Sequence, residues 1–153
     1  MGARAGVMVM NAKAVRRLPH WEMLLEGWHK VAGTRPFLWG KSDCCLTACD
    51  AVLAITGIDP AGELRGRCHD RRSAIRVMRD YAGGGVESTV VKAFAACGFA
   101  DVPPLFARRG DCGLVPSDDG PALAVCMGKN WAAQGKDGLV YVPLQDGLRA
   151  WRV

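Results

Sequence analysis

Several signals that would assign this sequence to a class are missing from it. No C-x-x-C pair occurs, so the spacing typical of zinc knuckles and ribbons is lacking. No apolar run approaches the roughly 20 residues of a membrane-spanning helix, and we expect no stable membrane insertion. Histidine occurs only three times, at His20, His29 and His69, which leaves few candidates for a general base.

The length and the cysteine content set the next limits. The 153 residues are enough for one domain but not for two independent cores. Seven cysteines, an odd number, do not indicate a disulfide framework in a reducing cytosol. That compartment is the expected place of synthesis, because residues 1–10 are too short and too weakly apolar for a signal peptide. We predict a flexible segment over residues 1–16 and a single domain over residues 17–153.

Basic residues outnumber acidic ones, and the formal net charge is +5. Many of the arginines lie in residues 65–79, where they form either a contact for nucleic acid or one solvated helix face. Neither interleaved aromatic residues nor a groove-entering motif accompanies them. We therefore expect no nucleic acid among the partners.

The hydrophobic pattern changes near residue 102. Before it, helical periodicity predicts helices over residues 18–31, 43–56, 72–81 and 86–97. The second of these carries only one charge after its first residue, at Asp50, so it is expected to be central and buried. After residue 102, short apolar runs alternate with turns such as SDDG and KDG, which is typical of antiparallel strands. Helices followed by such a sheet indicate an α+β domain.

The segment FLWGKSDCCLTACDAV holds three of the seven cysteines. As metal ligands, Cys44, Cys45, Cys49, Cys68 and His69 would have an unusual C-C-x3-C spacing, and we expect no metal or other cofactor. Cys45 and Cys49, four residues apart on a buried helix, are best explained as small packing residues. Cys44 differs because it lies in the first turn, where free N–H groups and the helix dipole stabilise a thiolate.

This segment resembles the nucleophile region of the NlpC-type cell-wall cysteine peptidases, a papain-like group. Trp39, Gly40, Asp43 and Cys44 match that family's W-G turn and the Asp-Cys that begins its central helix. Downstream, RRGDCGLVP resembles its R-G-D-L-V strand, where Asp111 is expected to cap or bridge the preceding turn. ALAVCMG resembles the strand that opens with the catalytic histidine. The resemblance implies a papain-like, NlpC-type fold, with N-terminal helices followed by an antiparallel sheet or small barrel.

The chain departs from this family at the catalytic positions. Ala122 stands where the family has its histidine, and Gln134, twelve residues later, stands where the residue that orients the histidine belongs. His69 is an alternative base, although a loop or surface role explains it more simply. General-base help contributes about 10²–10⁴ to a rate. We therefore expect little or no hydrolase activity, even though Cys44 keeps the nucleophile position.

A narrower resemblance covers PFLWGKSDCCLTACDAVLAITGIDPAGELRG, RRGDCGLV and GLVYVPLQDGLRAWRV. These segments are similar to small proteins encoded in the tail modules of bacteriophages and prophages. The resemblance implies a structural component of the virion, at the tail tip or baseplate, which is synthesised in the cytoplasm of the host bacterium. Its partners would be the tail hub and the adjacent tail-tip or fibre proteins.

Two other functions remain open from the sequence. One is an active cysteine peptidase or amidase that cuts cell-wall peptides during infection. In it Cys44 would be the nucleophile, Asp43 and Gln134 would be supporting polar groups, and His69 or a residue of a neighbouring subunit would be the base. The other is a tail assembly chaperone that leaves before the particle is complete.

Overall fold

The computed structural model describes residues 16–153, in which helices come first and strands second. The helices are α1 (Trp21–Ala32), α2 (Cys44–Thr56), α3 (Arg71–Ala82) and α4 (Val86–Ala96). The strands are β1 (Asp101–Val102), β2 (Cys112–Val115), β3 (Ala122–Cys126), β4 (Asn130–Gln134), β5 (Leu139–Pro143) and β6 (Arg149–Trp151). This order confirms the predicted α+β class. The prediction of a flexible segment over residues 1–16 lies outside the described residues, except at Arg16.

Helix α2 is the centre of the domain because nearly all of its sides are apolar. It packs against α1 on one side and against β3 and β4 on the other, and its buried side chains include Leu46, Cys49, Val52 and Ile55. Trp28 of α1 donates its Nε1–H to the carbonyl oxygen of Thr47 at 2.8 Å. Gly57 ends the helix in the left-handed region, with φ 77°. The prediction of a buried central helix that begins at Cys44 is therefore confirmed.

Helix α3 has a narrow buried side and a wide exposed one. A capping box begins it: Asp70 Oδ1 accepts from Ser73 N at 2.7 Å, and Ser73 Oγ accepts from Asp70 N at 3.1 Å. Only Ser73, Ala74 and Val77 of this helix are buried, and they face the rest of the domain. Helix α3 packs on α4, and the arginines of α3 remain exposed.

The six strands form one antiparallel sheet in the order β1-β6-β2-β3-β4-β5. Strand β1 has no counterpart in the sequence prediction, because it has only two residues and two prolines follow, which leaves no alternation to detect. Within the described residues, β1 and β5 are the edge strands. Of the two predicted arrangements, the structure therefore has the open sheet and not the closed barrel.

Each face of the sheet carries an apolar layer. The larger layer lies between the sheet and the helices and includes Val52, Phe94, Leu123 and Trp151. Alternate residues of the same strands point to the opposite face and form a smaller layer that includes Ala122, Cys126 and Trp131. None of the helices in residues 16–153 is long and apolar enough to cross a membrane.

One buried carboxylate connects distant parts of the chain. Asp111, just before β2, has no exposed surface (0%). Its oxygens accept backbone N–H bonds from Arg108 at 2.8 Å and Val153 at 2.9 Å, and a guanidinium bond from Arg17 at 3.0 Å. Arg152 adds an ion pair at 3.1 Å. The expectation that Asp111 bridges the turn before the strand is confirmed, and its contacts extend further than that turn.

Asp111→Asn is expected to lower the free energy of unfolding by about 3–5 kcal/mol, because Arg17 and Arg152 lose their counter-charge in a buried setting. Urea denaturation followed by circular dichroism measures the change. The control Asp119→Asn removes the same charge from an exposed pair with Arg71, 4.0 Å apart, and we expect a change below about 0.5 kcal/mol. Equal losses in the two variants would contradict the role given to Asp111.

Candidate functional site

A cleft of about 770 Å³ opens beside the N-terminus of α2. It is bounded by α2, by α3 and α4, and by the loop before β3. Most of its lining is apolar, with side chains that include Leu64, Ile75, Val90 and Phe94. Four of the predicted site residues line it together, namely Asp43, Cys44, Ala122 and Gln134, whereas His69 does not.

The turn before α2 brings Cys44 to the cleft. Gly40 has φ 78°, and a Cβ added to it would lie 2.0 Å from the carbonyl oxygen of Cys68. Only glycine allows both this backbone conformation and this close approach. Trp39 lines the cleft beside Cys44 and packs edge-on against Phe37, with ring centroids 4.9 Å apart.

Asp43 is the N-cap residue of α2, and the backbone engages both of its carboxylate oxygens. Oδ1 accepts from Leu46 N at 2.9 Å, and Oδ2 accepts from Gly40 N at 3.0 Å. These bonds satisfy a free N–H group of the helix and hold the turn that precedes it. The Asp43 carboxylate therefore fixes the turn that positions Cys44.

The Cys44 thiol is half-buried, and its pKa is lowered from the ordinary value. The largest cause is a hydrogen bond from the Cys45 thiol, whose sulfur lies 3.9 Å from that of Cys44. Burial opposes this effect, and the backbone N–H of Leu123 in β3 adds to it by donating to the Cys44 sulfur. Donors to the charged form favour that form, which lowers the pKa of Cys44 without help from a histidine.

The pKa values of the other two cysteines of α2 are shifted in the opposite direction. The pKa of Cys45 is raised well above its ordinary value, because its thiol donates to Cys44 and because it is buried. Burial also raises the pKa of Cys49, which is 4% exposed. Both residues therefore stay neutral thiols, which fits the predicted packing role. In residues 16–153, no group of three or more His, Cys, Asp or Glu side chains is arranged to hold a metal ion.

Ala122 is the first residue of β3 and belongs to the smaller apolar layer, against which Cys44 packs. The side chain at this position is a methyl group, which cannot accept a proton from the thiol. The next residue along the strand, Leu123, also lines the cleft. The strand therefore meets the thiol with apolar side chains and not with a titratable base.

Gln134 is the last residue of β4, and its amide group is fully engaged. Its Oε1 accepts from Thr47 Oγ1 at 2.9 Å, and its Nε2 donates to the carbonyl oxygens of Arg35 and Gly135, both at 2.8 Å. These bonds join β4 to α2 and to the segment before the Trp-Gly turn. Gln134 thus holds together the elements that surround the cleft.

None of the three histidines, all of which are described, lines the cleft. The side chain of His69 is 81% exposed, and its Nε2 lies 3.7 Å from the Asp70 carboxylate. His20 is exposed at the start of α1, and His29 shares a 2.7 Å hydrogen bond with the hydroxyl of Tyr141. The structure therefore brings the predicted nucleophile and orienter positions to one cleft, and it leaves His69 outside.

Three features of the site were not predicted from the sequence. The Leu123 N–H is a main-chain group, and residue type carries no signal for its direction. The apolar wall that includes Ile75 and Phe94 depends on how α3 and α4 pack. Cys68, considered only as a possible metal ligand, lines the cleft, and burial raises the pKa of its thiol.

The comparison with known families covers almost the entire chain. A family described as a domain of unknown function, DUF6950, matches residues 16–153. The chain belongs to this family. No curated protein and no solved structure matches it.

Gly40→Ala is expected to lower the free energy of unfolding by about 2–5 kcal/mol, from left-handed strain together with the clash at Cys68. Thermal and urea unfolding measure this loss. The matched control is Gly66→Ala, since Gly66 has φ 80° and an added Cβ would meet nothing within 4 Å. It should lose only the strain of about 1–2 kcal/mol. Identical losses would show that the close approach at Gly40 contributes nothing.

Cys45→Ala is expected to raise the pKa of Cys44, because it removes the thiol that donates to the Cys44 sulfur. Alkylation by iodoacetamide needs the thiolate, so the pH midpoint for Cys44 should move upward. Peptide mass spectrometry resolves Cys44 from the other cysteines. Cys97→Ala, which removes a thiol outside the cleft, should leave the midpoint unchanged, and an unshifted midpoint in Cys45→Ala would contradict the assignment.

Proposed function

We propose that this domain is a structural, accessory component of a bacteriophage tail tip or baseplate, built on an NlpC-like scaffold whose catalytic site is degenerate. The observation that carries the proposal is the cleft around Cys44, which no histidine lines and to which Ala122, the residue that the resemblance aligns with the base, contributes a methyl group. The tail assignment itself comes from the resemblance of the chain's segments to tail-module proteins.

The site has the features that position a cysteine at the start of a helix. Among residues 16–153, it has no imidazole in its lining that could transfer a proton. Cys44 lies at the N-terminus of a buried helix, capped by Asp43 and beside Trp39. Amide hydrolysis also requires a group that gives a proton to the leaving amine. Asp43 and Gln134 are held by hydrogen bonds to neighbouring groups, and no imidazole in the described lining is present to give that proton.

The surface supports a role in protein contacts. Leu105 and Phe106 are 64% and 68% exposed on a short 3-10 turn, and Leu148 is 52% exposed just before β6. The turn that carries the first two residues contacts β6 and a second 3-10 turn, Leu144–Asp146, so these residues share one end of the domain. Grouped exposed apolar side chains are typical of surfaces that bind other proteins.

Mass spectrometry of purified phage tails, washed at low and high salt, tests the structural role. The chain should stay with the tails in a fixed ratio to the hub protein. Cys44→Ala should assemble as well as the unmodified chain, because the thiol has no catalytic task in the particle. Absence of the chain from washed tails would contradict the proposal and would favour an assembly chaperone.

An active cysteine hydrolase is the second candidate, because the pKa of Cys44 is lowered and the thiol borders a large cleft. Purified cell-wall peptide fragments incubated with the full chain distinguish the two functions. The degenerate site predicts no cleavage above background. Cleavage that Cys44→Ala abolishes and Cys97→Ala preserves would overturn the first proposal in favour of the second.

A further inference from the structure

Helix α3 carries a row of arginines for which the cleft gives no explanation. Arg72, Arg76 and Arg79 are exposed and flank Ile75 on the outer side of the helix. Among residues 16–153, no carboxylate forms an ion pair with any of these three guanidinium groups. The outer side of α3 therefore presents three guanidinium groups that have no ion-pair partner among these residues.

This arrangement is unfavourable for the helix alone. Arg72 lies in the first turn, where the helix dipole favours anions, and the only carboxylate that the helix itself has at this end is that of the N-cap residue Asp70. Arg72 and Arg76 are four residues apart, and Arg76 and Arg79 are three apart. Like charges at these spacings face each other and destabilise a helix, and Asp80, four residues after Arg76, offsets only part of this repulsion. A ligand that brings negative charge would offset the rest.

We propose that the arginine face of α3, defined as Arg72, Ile75, Arg76 and Arg79, binds an extended acidic peptide segment of another protein. The helical rise separates Arg72 from Arg76 by about 6 Å along the axis. Alternate side chains of an extended peptide are about 6.6–6.8 Å apart. Carboxylates at alternate positions therefore match the spacing of Arg72 and Arg76, and Arg79 follows Arg76 after about 4.5 Å along the axis. The planar guanidinium groups fit carboxylates in a bidentate manner.

Ile75 favours a peptide over a nucleic acid as the ligand. It is 49% exposed between the arginines, and it also borders the apolar cleft. A peptide can place an apolar side chain on Ile75 between two carboxylates, whereas a phosphodiester backbone has no apolar group for this position. On the cleft side, Arg71 is paired with Asp119 at 4.0 Å, which leaves the outer side of α3 to the ligand.

Fluorescence anisotropy with a labelled peptide tests this inference on the full chain. The probe is a short peptide with glutamate at alternate positions and one central leucine. The variant R72Q/R76Q/R79Q should bind it about tenfold more weakly, as expected for the loss of three exposed ion pairs. The control K30Q/K41Q/K129Q removes equal charge from exposed lysines elsewhere and should change binding less than about twofold.

Two further measurements distinguish the peptide from other polyanions. Ile75→Ser should weaken peptide binding about threefold, because it removes the apolar contact. A labelled oligothymidine of similar charge should bind more weakly than the peptide and should not respond to Ile75→Ser. Unfolding curves for the triple variant confirm its fold, and removal of repelling charges should not lower its stability.

Each contrary result overturns the proposal. Equal peptide binding by the arginine and lysine variants would show a general charge effect, and so would oligothymidine that binds as tightly as the peptide. Absence of peptide binding at low salt would remove the ligand class altogether. The proposal does not depend on the tail assignment, because the face lies on the outer side of α3 and the test uses the isolated chain. A domain absent from phage tails would still be expected to bind the peptide.

Discussion

Asp111 is a carboxylate without exposed surface that receives two backbone N–H groups and two guanidinium groups. A buried charge is stable only when such partners are in place, so all of these segments have to assemble together. The contacts fix the start of β2 against the end of β6. Strand β3 pairs with β2, and its Ala122 and Leu123 line the cleft together with Cys44. The geometry of the cleft thus depends on a charge that lies outside it.

The cleft separates two properties that a cysteine hydrolase combines. Its main-chain and thiol donors stabilise the thiolate of Cys44, which is the requirement for nucleophilic attack. No described group in the lining is an imidazole that takes up and returns a proton. The described cleft therefore holds Cys44 in a defined orientation and places a methyl group and main-chain atoms, not an imidazole, beside it.

Much of the fold follows from local patterns in the sequence. The single charge inside α2, at Asp50, was enough to predict a buried central helix. The same reasoning placed Cys44 at the N-terminus of that helix. Strand β1 was not predicted, because its two residues are too few for alternation. The choice between sheet and barrel stayed open, because closure depends on twist and edge pairing and not on residue type.

The site was less predictable because its contacts join residues far apart in the chain. Nothing local to Gln134 shows that its amide is shared between Thr47 and the Arg35 carbonyl oxygen. The direction of the Leu123 N–H follows from strand pairing alone. The exposure of His69, in contrast, was predictable from the local sequence. Its place in a polar loop indicated exposure, and its side chain is 81% exposed.

The strand order also affects how the chain is made. Strand β6, the last in sequence, lies between β1 and β2, and Val153 donates to Asp111. The sheet is incomplete until β6 has been inserted between these two strands. Until then β1 and β2 lack their shared neighbour, and their unpaired edges are exposed to other chains. Folding of the domain is therefore expected to include a period of aggregation risk that ends when β6 is inserted.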